Sequence, residues 1–465
     1  MNMINVRRLT VMTFLGAGML SSISAQVSPL QVDTLKETKI PDQWDLQSCI
    51  DYAKEQNITI RKNRITAAST QIDVKTAKAA MFPSLSFSTS QQVVNRPYQE
   101  TSSRVSGNEI ISSNSKTSYN GNYGLNASWT LYNGNKRLKT IQQEKLNNQV
   151  AELDVATSEN NIQESIAQVY IQILYAAESV KVNENTLQVS IAQRDRGQEL
   201  LNAGSIAKSD LAQLEAQVST DRYQLVTAQA TLEDYKLQLK QLLELDGENE
   251  MNIYLPALSD ENVLAPLPTK RDVYISALSL RPEIEASKLN VEASELGINI
   301  AKSSYFPTIS LSAGIGTNHT SGSDFTFGEQ VKNGWNNSIG LSVSVPIFNN
   351  RQTKSAVQKA KLQYETSMLS LLDEQKALYK TIESLWLDAN SAQQRYAAAN
   401  EKLKSTQISY ELISEQFNLG MKNTIELLTE KNNLLQAQQE QLQAKYMAIL
   451  NTQLLKFYQG DQLAL

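Results

Sequence analysis

The chain has 465 residues with 43 basic and 48 acidic side chains, a net charge of −5. That balance gives no concentrated basic face, so no nucleic-acid partner is expected. A mean hydropathy of −0.36 excludes a polytopic helical membrane protein. One cysteine and one histidine leave no disulfide, no metal cluster and no nucleophile–histidine pair, so no cofactor, metal or catalytic residue is expected.

Arg7 and Arg8 precede an apolar stretch from Leu9 to Leu20, and small residues follow to Ser24-Ala25. This is the pattern of a secretory leader over residues 1–25, cleaved after Ala25. The apolar stretch is too short to span a bilayer. Residues 26–42 read as a mobile tail. Cys49 lies on the apolar face of the next helix, where a small buried thiol is expected.

Residues 43–255 then form a first repeat, with strands near 83–100 and 117–132 and long helices near 134–202 and 208–246. Pro256, Pro266 and Pro268 forbid helix over 256–269, which reads as a linker. Residues 270–465 form a second repeat, with strands near 307–319 and 335–348 and helices near 350–417 and 424–458. The repetition is visible in the letters. Ala77-Lys78-Ala79-Ala80-Met81-Phe82-Pro83-Ser84-Leu85 reads against Ala301-Lys302-Ser303-Ser304-Tyr305-Phe306-Pro307-Thr308-Ile309. Gly204 followed by Asp210-Leu211 reads against Gly420 followed by Glu426-Leu427.

The strands alternate with period two. Leu85 and Phe87 alternate with Ser84, Ser86 and Ser88; Leu125, Ala127 and Trp129 alternate with Gly124, Asn126 and Ser128. Ile309, Leu311, Ala313 and Ile315 alternate with Ser and Gly, as do Ile339, Leu341 and Val343. One apolar and one small polar face fits a transmembrane barrel with lipid outside and water inside. A soluble sandwich with one wet face uses the same alternation, and the leader and the plain Ser/Gly/Asn face count against it. His319 falls where a strand passes into a loop, and Gly314 and Gly316 lie within a strand, so they form no phosphate loop.

The helices carry seams. Positions 371, 375, 378, 382, 385, 389, 392, 396, 399, 403, 406, 410, 413 and 417 alternate in steps of four and three. Leu211, Leu214, Val218, Asp221, Leu225, Ala228, Leu232, Tyr235, Leu239 and Leu242 do the same. This is coiled-coil spacing. Helices of this length reach roughly 100 Å, and their small, mixed seams suit side-by-side packing in a wall.

Two hairpins do not close a barrel, and open sheet edges do not face lipid. Several copies therefore pool their strands, and only a ring larger than eight strands leaves an open lumen. The fold expected is mixed α and β: a pooled β-barrel, four strands per chain, continuous with a long α-helical barrel. A tube of this kind conducts and does not transform. A surface fibre or adhesin with a coiled-coil stalk and barrel anchor uses the same parts, but no segment is left to build its head. Paired acids such as Asp373 and Glu374 read as a solvated helix face, not as a hidden catalytic pair.

The duplicated plan resembles the TolC-like outer-membrane efflux proteins. The resemblance is carried by Phe82-Pro83-Ser84-Leu85, Phe306-Pro307-Thr308-Ile309, the exit Val345-Pro346-Ile347-Phe348-Asn349 and the Gly-x5-acid-Leu turns. It covers essentially the whole chain after the leader. It implies a homotrimer in outer-membrane lipid, a twelve-stranded barrel, and docking to a periplasmic adaptor and an inner-membrane pump. It also implies a gate at the periplasmic hairpin tips, with Gly204, Asp210 and Gly420 at the turns. Glu426 matches the first of two acidic positions in the family's best-known member, and Thr429 occupies the second unless neighbouring Glu430 replaces it. Phe417 and Lys422 stand where that relative has a tyrosine and an arginine. The spacing of Asn423 and Glu426 equally fits a helix capping box.

Overall fold

A computed structural model describes residues 41–98, 102–106, 109–113, 116–246, 251–256, 263–321, 323 and 325–463. The leader expected over 1–25 lies outside the described residues, as do residues 26–40 of the expected tail and 257–262 of the expected linker.

Helix α1 spans Leu46–Gln56, capped by the Asp45 carboxylate, which accepts from the Ser48 amide at 2.7 Å. Its buried face is Leu46, Cys49, Ile50 and Ala53, a helical spacing. Burial pushes the Cys49 thiol up to about 12. Helix α2 (Ile58–Ala79) leads to strand β1 (Ser84–Asn95); β2 (Ser102–Ser106) and β3 (Glu109–Ser113) pair only with each other, and β4 (Thr117–Asn133) follows. The helices α3 (Lys136–Asn202) and α4 (Lys208–Leu242) form a hairpin. Next come α5 (Lys270–Leu280), α6 (Pro282–Lys302), β5 (Thr308–Thr320), α7 (Phe327–Asn333) and β6 (Asn336–Ser344). A second hairpin, α8 (Gln352–Asn418) and α9 (Thr424–Gln459), ends the described chain.

Both α3 and α8 have 67 residues, about 100 Å at the helical rise. Each begins with residues in the left-handed region: Gly134 and Asn135 before α3, Asn350 and Arg351 before α8. These turn the chain from strand to helix within a few residues. Gly134 has no substitute there, because a Cβ would lie 2.6 Å from the Ser303 carbonyl oxygen.

The main sheet is antiparallel with order β1-β4-β5-β6, and the β4–β5 pairing joins the two halves of the chain. Register decides which residues share a face. Leu85, Ala127, Ala313 and Ile339 are direct cross-strand neighbours, and so are Phe87, Leu125 and Ile315. Ser84, Ser128, Ser312 and Gly340 make one row of the opposite face, and Ser86, Asn126, Gly314 and Ser338 the next. One face is thus apolar and the other is Ser, Gly and Asn. Both β1 and β6 are edges. The apolar face is bare in the single chain, with Ile339 83% and Phe87 67% exposed.

Several expected boundaries move. The strand expected over 335–348 ends at Ser344, since Pro346 has no amide hydrogen for the ladder. The strand expected to reach residue 100 ends at Asn95, and the helix expected to reach 246 ends at Leu242, where Glu244 turns left-handed. The described chain has six strands rather than four, because β2 and β3 lie inside the first loop. In the second loop α7 stands instead, closed by a Thr326–Glu329 capping box.

The seams are where the helices pack. All fourteen α8 seam positions and all ten in α4 are buried or half-buried. Helices α2 and α6 lie on the sheet-proximal parts of α3 and α8, and α4 and α9 cover their distal parts. The largest core cluster sits midway, around Trp44, Tyr170, Ile171, Leu239 and Tyr446. There the end of the first repeat and the linker after it are pinned: the Trp44 amide donates to Asn252 at 2.8 Å and the Tyr170 hydroxyl to Tyr254 at 2.6 Å. Gln393 donates to the carbonyls of Val263 and Ala265, and the Trp386 indole to that of Pro268. Side chains thus satisfy backbone oxygens that the proline-rich stretch leaves outside any ladder. His319 is buried against Tyr119, Tyr123 and Phe327 at the loop end of β5. Among the described residues, no helix is long and apolar enough to cross a membrane.

Candidate functional site: the helical hairpin tips

Both hairpins turn by the same device. Gly204 and Gly420 each have φ +74°, and no atom stands within 4 Å of a Cβ built on either. The Gly204 amide donates to Leu201 and the Ser205 amide to Leu200; the Gly420 and Met421 amides donate to Phe417 and Gln416. These paired bonds satisfy carbonyls that the helix ends would leave orphaned. At the first tip the cap is half-built. Ala207 offers no side-chain acceptor, but its amide donates to the Asp210 carboxylate at 3.0 Å. Gly197 lets the two helices of that hairpin approach, since a Cβ there would lie 2.4 Å from Leu214 Cδ1.

At the second tip the capping box is complete. The Glu426 amide donates to Asn423 Oδ1 at 2.9 Å, and the Asn423 amide donates to Glu426 Oε2 at 3.2 Å. Lys422 Nζ reaches Glu426 Oε1 at 2.6 Å. The Lys422 ammonium first, and the Asn423 amide second, hold the exposed Glu426 carboxyl below the usual carboxylate range. The capping geometry and the charged, exposed position therefore coexist in one residue.

The remaining candidates separate. The Thr429 hydroxyl donates to the Ile425 carbonyl at 2.8 Å, back into its own helix. Glu430 accepts from Ser409 Oγ at 3.2 Å, across the same hairpin. Phe417 faces inward: it is 3% exposed and packs in a cluster with Leu214 and Leu427, flanked by Leu200, Tyr410, Ile413 and Leu428. It is a core residue of the tip in this chain, as its place at the end of the α8 seam requires. The apolar side chains that do face water there are Leu419, Met421 and Ile425. Alignment to acidic and aromatic positions missed them; their exposure beyond the last seam residue is the signal.

A buried polar group two turns inside also escaped the sequence. Lys431 Nζ pairs with Asp221 Oδ2 and with Ser190 Oγ, which itself donates to Asp221 Oδ2. Desolvation lowers the Lys431 ammonium from its ordinary value, with Asp221 opposing. Asp221 stands on the α4 seam, where a charge requires a buried partner.

The sequence profile of the outer membrane efflux protein family matches residues 49–244 and 273–460, most of the chain. The chain belongs to the outer membrane efflux protein family. The chain is 24% identical over 294 residues to the outer membrane efflux protein BepC of Brucella suis biovar 1 (strain 1330), covering 63% of this chain and 61% of that protein. It is 23% identical over 311 residues to the outer membrane protein TolC of Escherichia coli (strain K12), covering 65% and 62%. The match therefore spans somewhat less than two thirds of these two relatives. The fold is that of CusC, a protein that forms a transmembrane channel, with a TM-score of 0.75 at 19% identity over 90% of this chain and 92% of that one. Family membership places this protein in the outer membrane.

Proposed function

We propose that the chain is the subunit of an outer-membrane exit duct that conducts substrates passively from a periplasmic adaptor and inner-membrane pump to the exterior. The carrying observation is a sheet with one bare apolar face, one small polar face and two open edges, joined directly to helices about 100 Å long. Lipid does not tolerate the open edges, so β6 of one copy pairs with β1 of the next. Three copies make a barrel of twelve strands. An eight-stranded ring is normally filled by its own side chains, which Ser, Gly and Asn are too small to do. The resemblance to the family favours the homotrimer as well.

Regular offsets between paired elements support a tandem duplication, with 43–255 and 270–465 as its repeats: α1 and α5, α2 and α6, and β1 and β5 begin 224 residues apart, and a shorter loop between the strands of the second half lowers the offset beyond it. Helices α3 and α8 begin at 136 and 352, α4 and α9 at 208 and 424, and the tip glycines stand at 204 and 420: a difference of 216 each time. We place the entrance gate at the tips. Glu426 there presents a ring of three carboxylates, moderated by Lys422, with Thr429 and Glu430 one turn further in. The turns at Gly204, Asp210 and Gly420 form the end that meets the adaptor. Recording from the full-length protein in planar bilayers tests the reading. Stable, ion-conducting pores are expected, and an assembled particle that never conducts refutes the duct.

A further inference from the structure

At the loop end of β5 the apolar face of the sheet carries a stack of rings. Gly121 faces His319 across the ladder, and a Cβ on it would lie 2.3 Å from the imidazole, so only glycine leaves room for that ring. Tyr123 stacks on the imidazole at 6.0 Å, Tyr119 tilts against it at 5.2 Å, and Phe327 of α7 closes it edge-on at 5.0 Å. Tyr119, Gly121, Tyr123 and His319 continue the alternation of Leu125 and Ile315, so α7 lies on the apolar side of the sheet and not on the Ser/Gly/Asn side. Two bonds hold it there. The Thr317 hydroxyl donates to the Val331 carbonyl at 2.7 Å, and the Thr320 amide donates to Gln330 Oε1 at 2.8 Å.

The height of α7 follows from the strand. From Ile309 to His319, β5 rises about 33 Å along its length, or about 25 Å of depth at a typical barrel tilt. A lipid-facing apolar band is about 25 Å tall, with aromatic girdles at both rims. Phe82 and Phe306 are exposed at one end of the sheet, and Phe325, Phe327 and Trp335 remain 45–57% exposed at the other, in α7 and beside it. A neighbouring copy does not cover them by the pooled edges, since the ring stack stands on β4 and β5, the inner strands, whereas copies join at β1 and β6. We propose that α7 is an interfacial foot: it lies outside the ring of strands and rests on the outer leaflet, with Phe325, Phe327 and Trp335 at the boundary between headgroups and acyl chains. Aromatic side chains suit that boundary, where an apolar body meets hydrocarbon and the indole N–H of Trp335 meets a polar headgroup. The connection from β5 to β6 is thereby held on the lipid side, away from the mouth of the lumen. This rests on the exit-duct reading, in which the apolar face meets lipid.

The test places a nitroxide on Gly328→Cys in the full-length assembled protein, because Gly328 is exposed and a Cβ there meets no atom within 4 Å. The native Cys49 is buried and takes no label. The protein is reconstituted into vesicles of phosphatidylethanolamine and phosphatidylglycerol. Collisions with oxygen, which partitions into lipid, and with a water-soluble nickel chelate then give the depth of the label. A depth within about 10 Å of the headgroup–acyl boundary is expected. Adding Phe325→Ser and Trp335→Ser is expected to shift the label outward into water, and an unchanged depth overturns the foot. A water-like label without those two changes also overturns it, as does a label shielded from both reagents, which reports cover by protein. Should the serine variant fail to assemble, the depth without it decides. Leu125→Cys, at the centre of the apolar face, is the reference. A label there that is not exposed to lipid refutes the duct's assignment of faces, whereas a lipid-exposed Leu125→Cys beside a water-like Gly328→Cys refutes the foot alone.

Discussion

Replacing Leu125 by arginine places a charge at the centre of the sheet's apolar face. Leu125 is the ninth of the seventeen residues of β4, and its direct neighbours are Phe87 on one side and Ile315 on the other. Eight residues extend each way, about 26 Å at the strand rise, or about 20 Å of depth at a typical barrel tilt. That exceeds half of a hydrocarbon core about 30 Å thick, so Leu125 sits near the midplane. An arginine facing lipid at that depth costs about 2–4 kcal/mol per copy, and so about 6–12 kcal/mol in a trimer. Ser128→Arg is the control, because Ser128 lies among Ser84 and Ser312 on the opposite face. The assay is refolding into lipid vesicles over a urea series, read as the heat-modifiable oligomer on a gel. Leu125→Arg is expected to abolish or strongly reduce the oligomer, while Ser128→Arg assembles and changes conductance. Equal tolerance of the two refutes the assignment of lipid and water to the two faces.

The tip glycines give a purely conformational prediction. Gly204→Ala and Gly420→Ala meet no atom, so each costs only the left-handed backbone, about 1–2 kcal/mol, read as a lowered urea midpoint with unchanged slope. Glu426 gives a pH prediction. Its folded carboxyl lies below the ordinary value of 4.5, so its stabilisation is present above 4.5 and is lost as pH falls through the lowered folded value. Hydrogen-exchange protection of the first turn of α9 is expected to fall over that range, and Glu426→Gln is expected to remove the dependence while lowering cation preference in single-channel recordings. An unchanged preference with a lower melting temperature assigns the residue to capping alone.

Much of the helical packing was legible because a seam is a local pattern. The α8 series ended at Phe417, and that alone placed Phe417 in the core. Alignment to a gate position pointed the other way, and the seam was the better guide because burial follows periodicity. Asp221 was visible as a charge on a seam, yet its partner Lys431 lies 210 residues away on another hairpin, beyond local reading. The faces of the sheet were legible from alternation, whereas the β4–β5 pairing depends on distant segments meeting. Helix α7 hid in a polar loop, although Thr326 and Glu329 carried the spacing of a capping box. Exposure of Leu419, Met421 and Ile425 follows from their place beyond the last seam residue, Phe417, around the Gly420 turn, a signal separate from the acidic and aromatic positions of the gate alignment.

The pooling of open-edged sheets is the claim on which the duct depends, and the mass of the detergent-solubilised particle tests it most directly. Native mass measurement after gentle extraction from outer membranes is expected to give three chains and a single species. A folded, stable monomer contradicts the account, because its β1 and β6 edges would then face lipid unpaired.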